Sequence, residues 1–136
     1  MSDRGARWVV LVEDDLDVAQ MYRLGLETAG FKVTIAESGS DLFGSLNGQA
    51  PDLIVLDYQL PVNNGAQVLE RIRRDDRTRG VRVFMLSNFP PTHDDAIDRV
   101  FRLGAIAWLE KAKTPPRMLA EKLAEALRPV RAEEAV

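Results

Sequence analysis

The chain has no cysteine, which excludes a disulfide framework and any thiolate metal site. Its single histidine, His93, has no second imidazole to share a metal with and reads as a solvated residue near a helix start. No stretch of about 18 apolar residues and no secretory h-region occurs, so the expectation is a soluble cytoplasmic protein without membrane insertion. Charge of one sign is also lacking: 21 acidic against 18 basic residues leave a net charge of −3, which gives no footprint for direct nucleic-acid binding through phosphates. Glycines are missing after the first apolar run, where Glu13-Asp14-Asp15 would repel the pyrophosphate of a dinucleotide. No linker, repeat or low-complexity stretch divides the 136 residues, so a single domain over 6–128 is expected, with short tails at 1–5 and 129–136.

What the chain does have is a regular alternation. Apolar runs at 8–12 (WVVLV), 31–36 (FKVTIA), 52–56 (DLIVL), 81–86 (VRVFML) and 106–109 (IAWL) are separated by segments of helical length, the spacing of βαβ units. Helix-period apolar positions lie between them: Val18, Tyr22 and Leu26; Leu42 and Leu46; Val68, Leu69 and Ile72; Ile97, Val100, Phe101 and Ala105; and Leu119, Leu123, Ala126 and Leu127. Gly30, Gly48, Gly80 and Gly104 punctuate helix ends, and Thr92 with Asp95 has the form of a capping box. Strands without polar alternation are buried on both faces, so the pattern predicts an α/β three-layer domain around a parallel sheet. Residues 71–82 (RIRRDDRTRGVR) hold six of the fourteen arginines; this is either an anion-docking patch or, as preferred here, the solvated C-terminal end of a helix.

All strands of a parallel sheet deliver their C-terminal ends to one edge. That edge would collect Glu13-Asp14-Asp15, Asp57, Ser87-Asn88 and Glu110-Lys111. Singly, each has a plain structural explanation: the acids could cap a helix, and Asp57 could belong to a turn before Pro61. Together they make a chemical site. Clustered carboxylates either raise their pKa values or hold a cation, and oxygen donors without His or Cys select a hard divalent ion such as Mg²⁺. A strand-end carboxylate can attack phosphorus to form an acyl phosphate, provided that cations screen the incoming oxygens.

These motifs resemble the receiver domain of two-component response regulators, of the stand-alone, chemotaxis-regulator-like kind, over about residues 6–128. VLVEDD supplies Glu13 and Asp14, LIVLDYQLPVNNG supplies Asp57 with Pro61 and Gly65, FMLSN supplies Ser87, and WLEK supplies Lys111. The resemblance implies a doubly wound five-stranded parallel sheet of flavodoxin-like order 2-1-3-4-5. It implies that Asp57 accepts a phosphoryl group from a sensor histidine kinase or a histidine phosphotransfer protein. Asp14, Asp57 and the Gln59 backbone carbonyl would bind Mg²⁺, with Glu13 helping through water. Lys111 would pair with the phosphoryl oxygens, while Ser87 and Trp108 would act as the switch residues. The face made by the fourth helix, fifth strand and fifth helix would meet a downstream protein. Such a protein promotes only its own phosphorylation and dephosphorylation and is not otherwise an enzyme.

Three positions depart from the family pattern. Ala112 stands where a proline in a cis peptide commonly follows the lysine, so the chain either keeps a strained cis bond there or rebuilds the loop. Trp108 replaces the usual Tyr or Phe, and Asn64-Gly65 replaces the frequent Asp-Gly. The main rival reading is a receiver-like interaction module that works without phosphorylation. A haloacid-dehalogenase-like phosphatase would need a second acid two residues after Asp57, where Gln59 stands.

Overall fold

The structure, a computed structural model, describes residues 5–91 and 95–128. Five strands and five helices alternate: β1 (Trp8–Val12), α1 (Leu16–Thr28), β2 (Lys32–Ala36), α2 (Gly39–Gly44), β3 (Leu53–Asp57), α3 (Gly65–Arg74), β4 (Arg82–Ser87), α4 (Asp95–Arg102), β5 (Ala107–Glu110) and α5 (Pro116–Leu127). All strand pairs are parallel and the sheet order is β2-β1-β3-β4-β5. Both the three-layer α/β class and the order implied by the resemblance are therefore observed. Thr92 and His93 lie outside the described residues, as do residues 1–4 and 129–136 of the tails.

Burial on both faces explains why the strand sequences do not alternate in polarity. Successive side chains point to opposite faces. Val10, Val12, Ile54, Leu56, Val83 and Met85 pack against α2, α3 and α4 through residues such as Leu42, Val68, Leu69, Ile72 and Val100. Val9, Leu11, Leu53, Val55, Phe84 and Leu86 face α1 and α5, meeting Tyr22, Leu26, Leu119 and Leu123. At about 25 cal/mol per Å² of apolar surface removed from water, these two clusters supply the main drive to fold. Phe101 departs from expectation: the helical spacing placed it with the core, yet it is 44% exposed.

The arginine-rich stretch is not a free anion-docking patch. Arg74 pairs with Glu70 and Arg77 with Asp75, while the Arg71 guanidinium lies 4.1 Å from the centre of the Phe43 ring. Arg73 turns inward and donates to the carbonyls of Leu103, Gly104, Arg79 and Val81, fastening the end of α3 to the turn after α4. Partial burial lowers its pKa from the ordinary arginine value. The solvated-end reading thus holds for the outer arginines and fails for Arg73.

Candidate functional site

Each strand end delivers its polar residue because the apolar stretch before it is consumed in the core. Glu13 continues β1 by donating its backbone N–H to Ala36 O at 2.9 Å, so its side chain is carried to the sheet edge. Asp57 ends β3 after four buried aliphatic residues, and Ser87 ends β4; both are buried. The loop after Asp57 folds back tightly, with Gly65 N donating to Tyr58 O at 2.8 Å. A Cβ on Gly65 would stand 2.8 Å from Tyr58 Cα and 3.0 Å from Asp57 O, so only glycine fits that approach. Asn64 and Gln67 then close a reciprocal capping box on α3, so the Asn-Gly departure keeps a working helix start.

The acidic run divides its labour. Asp15 caps α1, accepting from Asp17 N and Val18 N, so the plain structural explanation is right for that residue. Glu13, Asp14 and Asp57 instead converge, each offering a carboxylate oxygen within 4.8 Å of the others. Lys111 reaches into this group: its Nζ lies 2.9 Å from Glu13 Oε1 and 3.3 Å from Asp57 Oδ2. Glu110, one residue earlier, pairs with Lys113 at 3.7 Å rather than with the acids.

Burial, and next the Asp57 carboxylate beside it, push the Glu13 carboxyl up to about 8, against the opposing pull of Lys111. Burial opposes the charge on Lys111, but Glu13 and Asp57 outweigh it and hold its pKa above that of an ordinary lysine. Of the two outcomes open to clustered acids, the site therefore shows the first, a raised pKa at Glu13. It also fits the second. Glu13 Oε2 is buried without a hydrogen-bond partner, an acceptor left open among three carboxylates, and the donor set is all oxygen as Mg²⁺ requires.

Ser87 joins the site through Gln59. Its Oγ accepts from Gln59 Nε2 at 2.8 Å, and the Gln59 backbone N–H donates to Asp57 Oδ1 at 3.1 Å. Trp108 stands to one side, its ring centroid 4.9 Å from that of Tyr58 and its Nε1 donating to Phe89 O at 3.0 Å. After Lys111 the loop takes a short 3-10 turn (Lys111–Lys113), and no peptide bond among the described residues is cis. Of the two courses open at Ala112, the loop is the one that is rebuilt.

Two contacts were not foreseen from the sequence. Gln59 reads from the sequence as lying near the site, but its side-chain bond to Ser87 gave no local signal, because that partner is 28 residues away. Tyr22, read as an apolar helix position, also sends its hydroxyl to Thr114 O at 2.8 Å, tying α1 to the segment that follows Lys111. Burial raises the Tyr22 phenol to about 12, with Glu13 adding to the shift. A phenol tip on an otherwise apolar helix face was the available clue.

Comparison with known proteins agrees with this geometry. The phosphate regulon transcriptional regulatory protein PhoB of Escherichia coli is 33% identical over 117 residues, covering 85% of this chain and 49% of that protein. The DNA-binding dual master transcriptional regulator RpaA of Synechocystis is 34% identical over 118 residues, covering 82% of this chain and 46% of its own length. The chain thus spans about half the length of these curated relatives. Among solved structures, the chemotaxis protein CheY4 of Vibrio cholerae superposes with a TM-score of 0.80 at 24% identity, covering 90% of this chain and all of its own. A CheY-like receiver domain protein of Methanospirillum hungatei gives the same TM-score, over 90% of this chain and 94% of its own; both structures speak to the fold. Residues 9–123 match the response regulator receiver domain, so the chain that gathers Glu13, Asp14, Asp57, Ser87 and Lys111 at one sheet edge belongs to the receiver family of two-component signalling.

Proposed function

We propose that Asp57 accepts a phosphoryl group from a phosphohistidine on a sensor histidine kinase or a histidine phosphotransfer protein, in a Mg²⁺-dependent reaction that alters a protein-binding surface. The observation that carries this reading is the Lys111 ammonium held between Asp57 and Glu13, with Asp14 in the same cluster. In the step, an Asp57 carboxylate oxygen forms a bond to phosphorus as the N–P bond of the donor breaks. The departing imidazole nitrogen keeps the electron pair and takes up a proton. Asp14, Asp57 and the Gln59 backbone carbonyl would hold Mg²⁺, with Glu13 contributing through water; when bound, the ion supplies positive charge against the phosphoryl oxygens. Lys111 neutralises charge on the remaining oxygens, and the buried strand ends keep Asp57 fixed in line. The aspartyl phosphate forms and hydrolyses on the chain itself, which makes the protein a signalling acceptor rather than an enzyme acting on an external substrate. A donor charged from ATP implies a cytoplasmic setting; among the described residues no helix is long and apolar enough to cross a membrane.

Phosphorylation adds about −2 of charge. Ser87 and Trp108 would register it, and the face of α4, β5 and α5 would report it. That face exposes Phe101, Ile106 and Met118, and a shallow groove of about 470 Å³ between β5 and α5 is lined by Ile106, Ala107, Met118 and Lys122. Such a surface suits a protein partner. The test is labelling by acetyl phosphate or by a phosphohistidine donor, with and without Mg²⁺. The reading expects Mg²⁺-dependent labelling that Asp57→Asn abolishes. Equal labelling of Asp57→Asn would instead favour an interaction module that does not use this aspartate.

A further inference from the structure

Ser87 is fully buried, and its Oγ accepts two hydrogen bonds, from Gln59 Nε2 at 2.8 Å and from Phe89 N at 3.0 Å. The orientation of the Gln59 amide is fixed by chemistry. Asn88 N–H can only donate, and it lies 3.0 Å from Gln59 Oε1, which leaves Nε2 for the serine. The same residue donates its backbone N–H to Asp57 Oδ1 at 3.1 Å. One glutamine, anchored at the end of β3, thus reaches the end of β4 and the loop after it at two points, Ser87 and Asn88. A serine side chain has one torsion with three staggered wells, and the two donors hold Oγ in the well it occupies. Turning Oγ from that well toward a group carried on Asp57 forfeits both bonds.

We propose that the Gln59 side chain is a latch that holds Ser87 in its unphosphorylated position and so sets how far a phosphoryl group on Asp57 can draw the hydroxyl inward. The proposal rests on the phosphoacceptor reading of Asp57. Gln59 acts here as a positioning residue, working through Ser87 and not on phosphorus. Methionine at this position keeps the length of the side chain and removes both amide contacts. The net worth of one such hydrogen bond predicts an effect of about 2- to 10-fold.

The experiment is a double-mutant cycle read by the Mg²⁺-dependent affinity for beryllofluoride, a phosphoryl mimic, in the wild type, Gln59→Met, Ser87→Ala and the double variant. Gln59→Met should tighten beryllofluoride binding by about 2- to 10-fold, and the same substitution in the Ser87→Ala background should change nothing. An unaltered affinity in Gln59→Met, or a gain that persists without the serine hydroxyl, overturns the latch while leaving the acceptor site standing. Failure of all four proteins to bind beryllofluoride overturns the phosphoacceptor reading and the latch with it. A second measurement needs no mimic: hydrogen exchange at the Asn88 amide should quicken in Gln59→Met, and an unchanged rate refutes the latch directly.

Discussion

Replacing Lys111 by methionine keeps most of the aliphatic stem and removes the ammonium that sits 2.9 Å from Glu13 and 3.3 Å from Asp57. Breaking one side of a buried ion pair commonly costs about 3–5 kcal/mol. Here the loss should be smaller, because Glu13 already tends to keep its proton with a pKa of about 8. The expected loss of stability is about 1–3 kcal/mol, greater at alkaline pH, where Glu13 gives up its proton beside the ammonium in the wild type, than near pH 6. The cation also competes with Mg²⁺ for the same oxygens, so its removal should leave metal affinity equal or higher. Phosphoryl transfer should fall by about 10- to 100-fold, the worth of a charge-assisted hydrogen bond of about 1.5–3 kcal/mol. Urea unfolding at the two pH values, a Mg²⁺ titration followed at amides around Asp14 and Asp57, and labelling by acetyl phosphate read the three effects. Wild-type labelling by Lys111→Met, or metal binding lost in step with labelling, would refute the role given to the amine.

Other consequences follow from the same geometry. The Glu13 pKa rises from 4.5 in the unfolded chain to about 8 in the folded, metal-free protein, so the folded state holds the extra proton between those values. Its contribution to stability is therefore complete below pH 4.5 and declines as pH rises to about 8; Glu13→Gln should flatten that slope in metal-free urea titrations. Gly65→Ala forces a Cβ to 2.8 Å from Tyr58 Cα, so the loop after Asp57 must shift. Denaturation should show a loss of about 1–3 kcal/mol, with labelling of Asp57 impaired beyond what the lost stability explains. Tyr22→Phe removes the 2.8 Å bond to Thr114 O; unfolding should register a loss of about 1–2 kcal/mol, from the bond and the buried carbonyl left behind.

The parts of the fold legible in the sequence were those fixed by burial. LIVL before Asp57, with its β-branched members, reads as a strand covered on both faces, and it is buried throughout. Glu13, Asp14, Asp57 and Lys111 were legible as a site because a parallel sheet gathers strand ends whatever the details of packing. The division between Asp14 and Asp15 was legible only through the family resemblance, since by local pattern either could have capped α1 and the path of the chain decides it. Arg73 looked like its neighbours, and its inward turn depends on carbonyls about 30 residues away that no local pattern encodes. Phe101 shows the converse limit: Ile97 and Val100 on the apolar face of α4 are buried, but how far that face extends depends on how the helix is rotated, and Phe101 is left 44% exposed.

The central claim is that an oxygen of Asp57 captures phosphorus in a site completed by Mg²⁺ and Lys111. Its most direct test is to phosphorylate the protein with a phosphohistidine donor, trap the acyl phosphate by borohydride reduction and map the modified peptide. The account predicts a single reduced residue at position 57, lost when Mg²⁺ is chelated; a modified residue elsewhere, or the same yield without the metal, would contradict it.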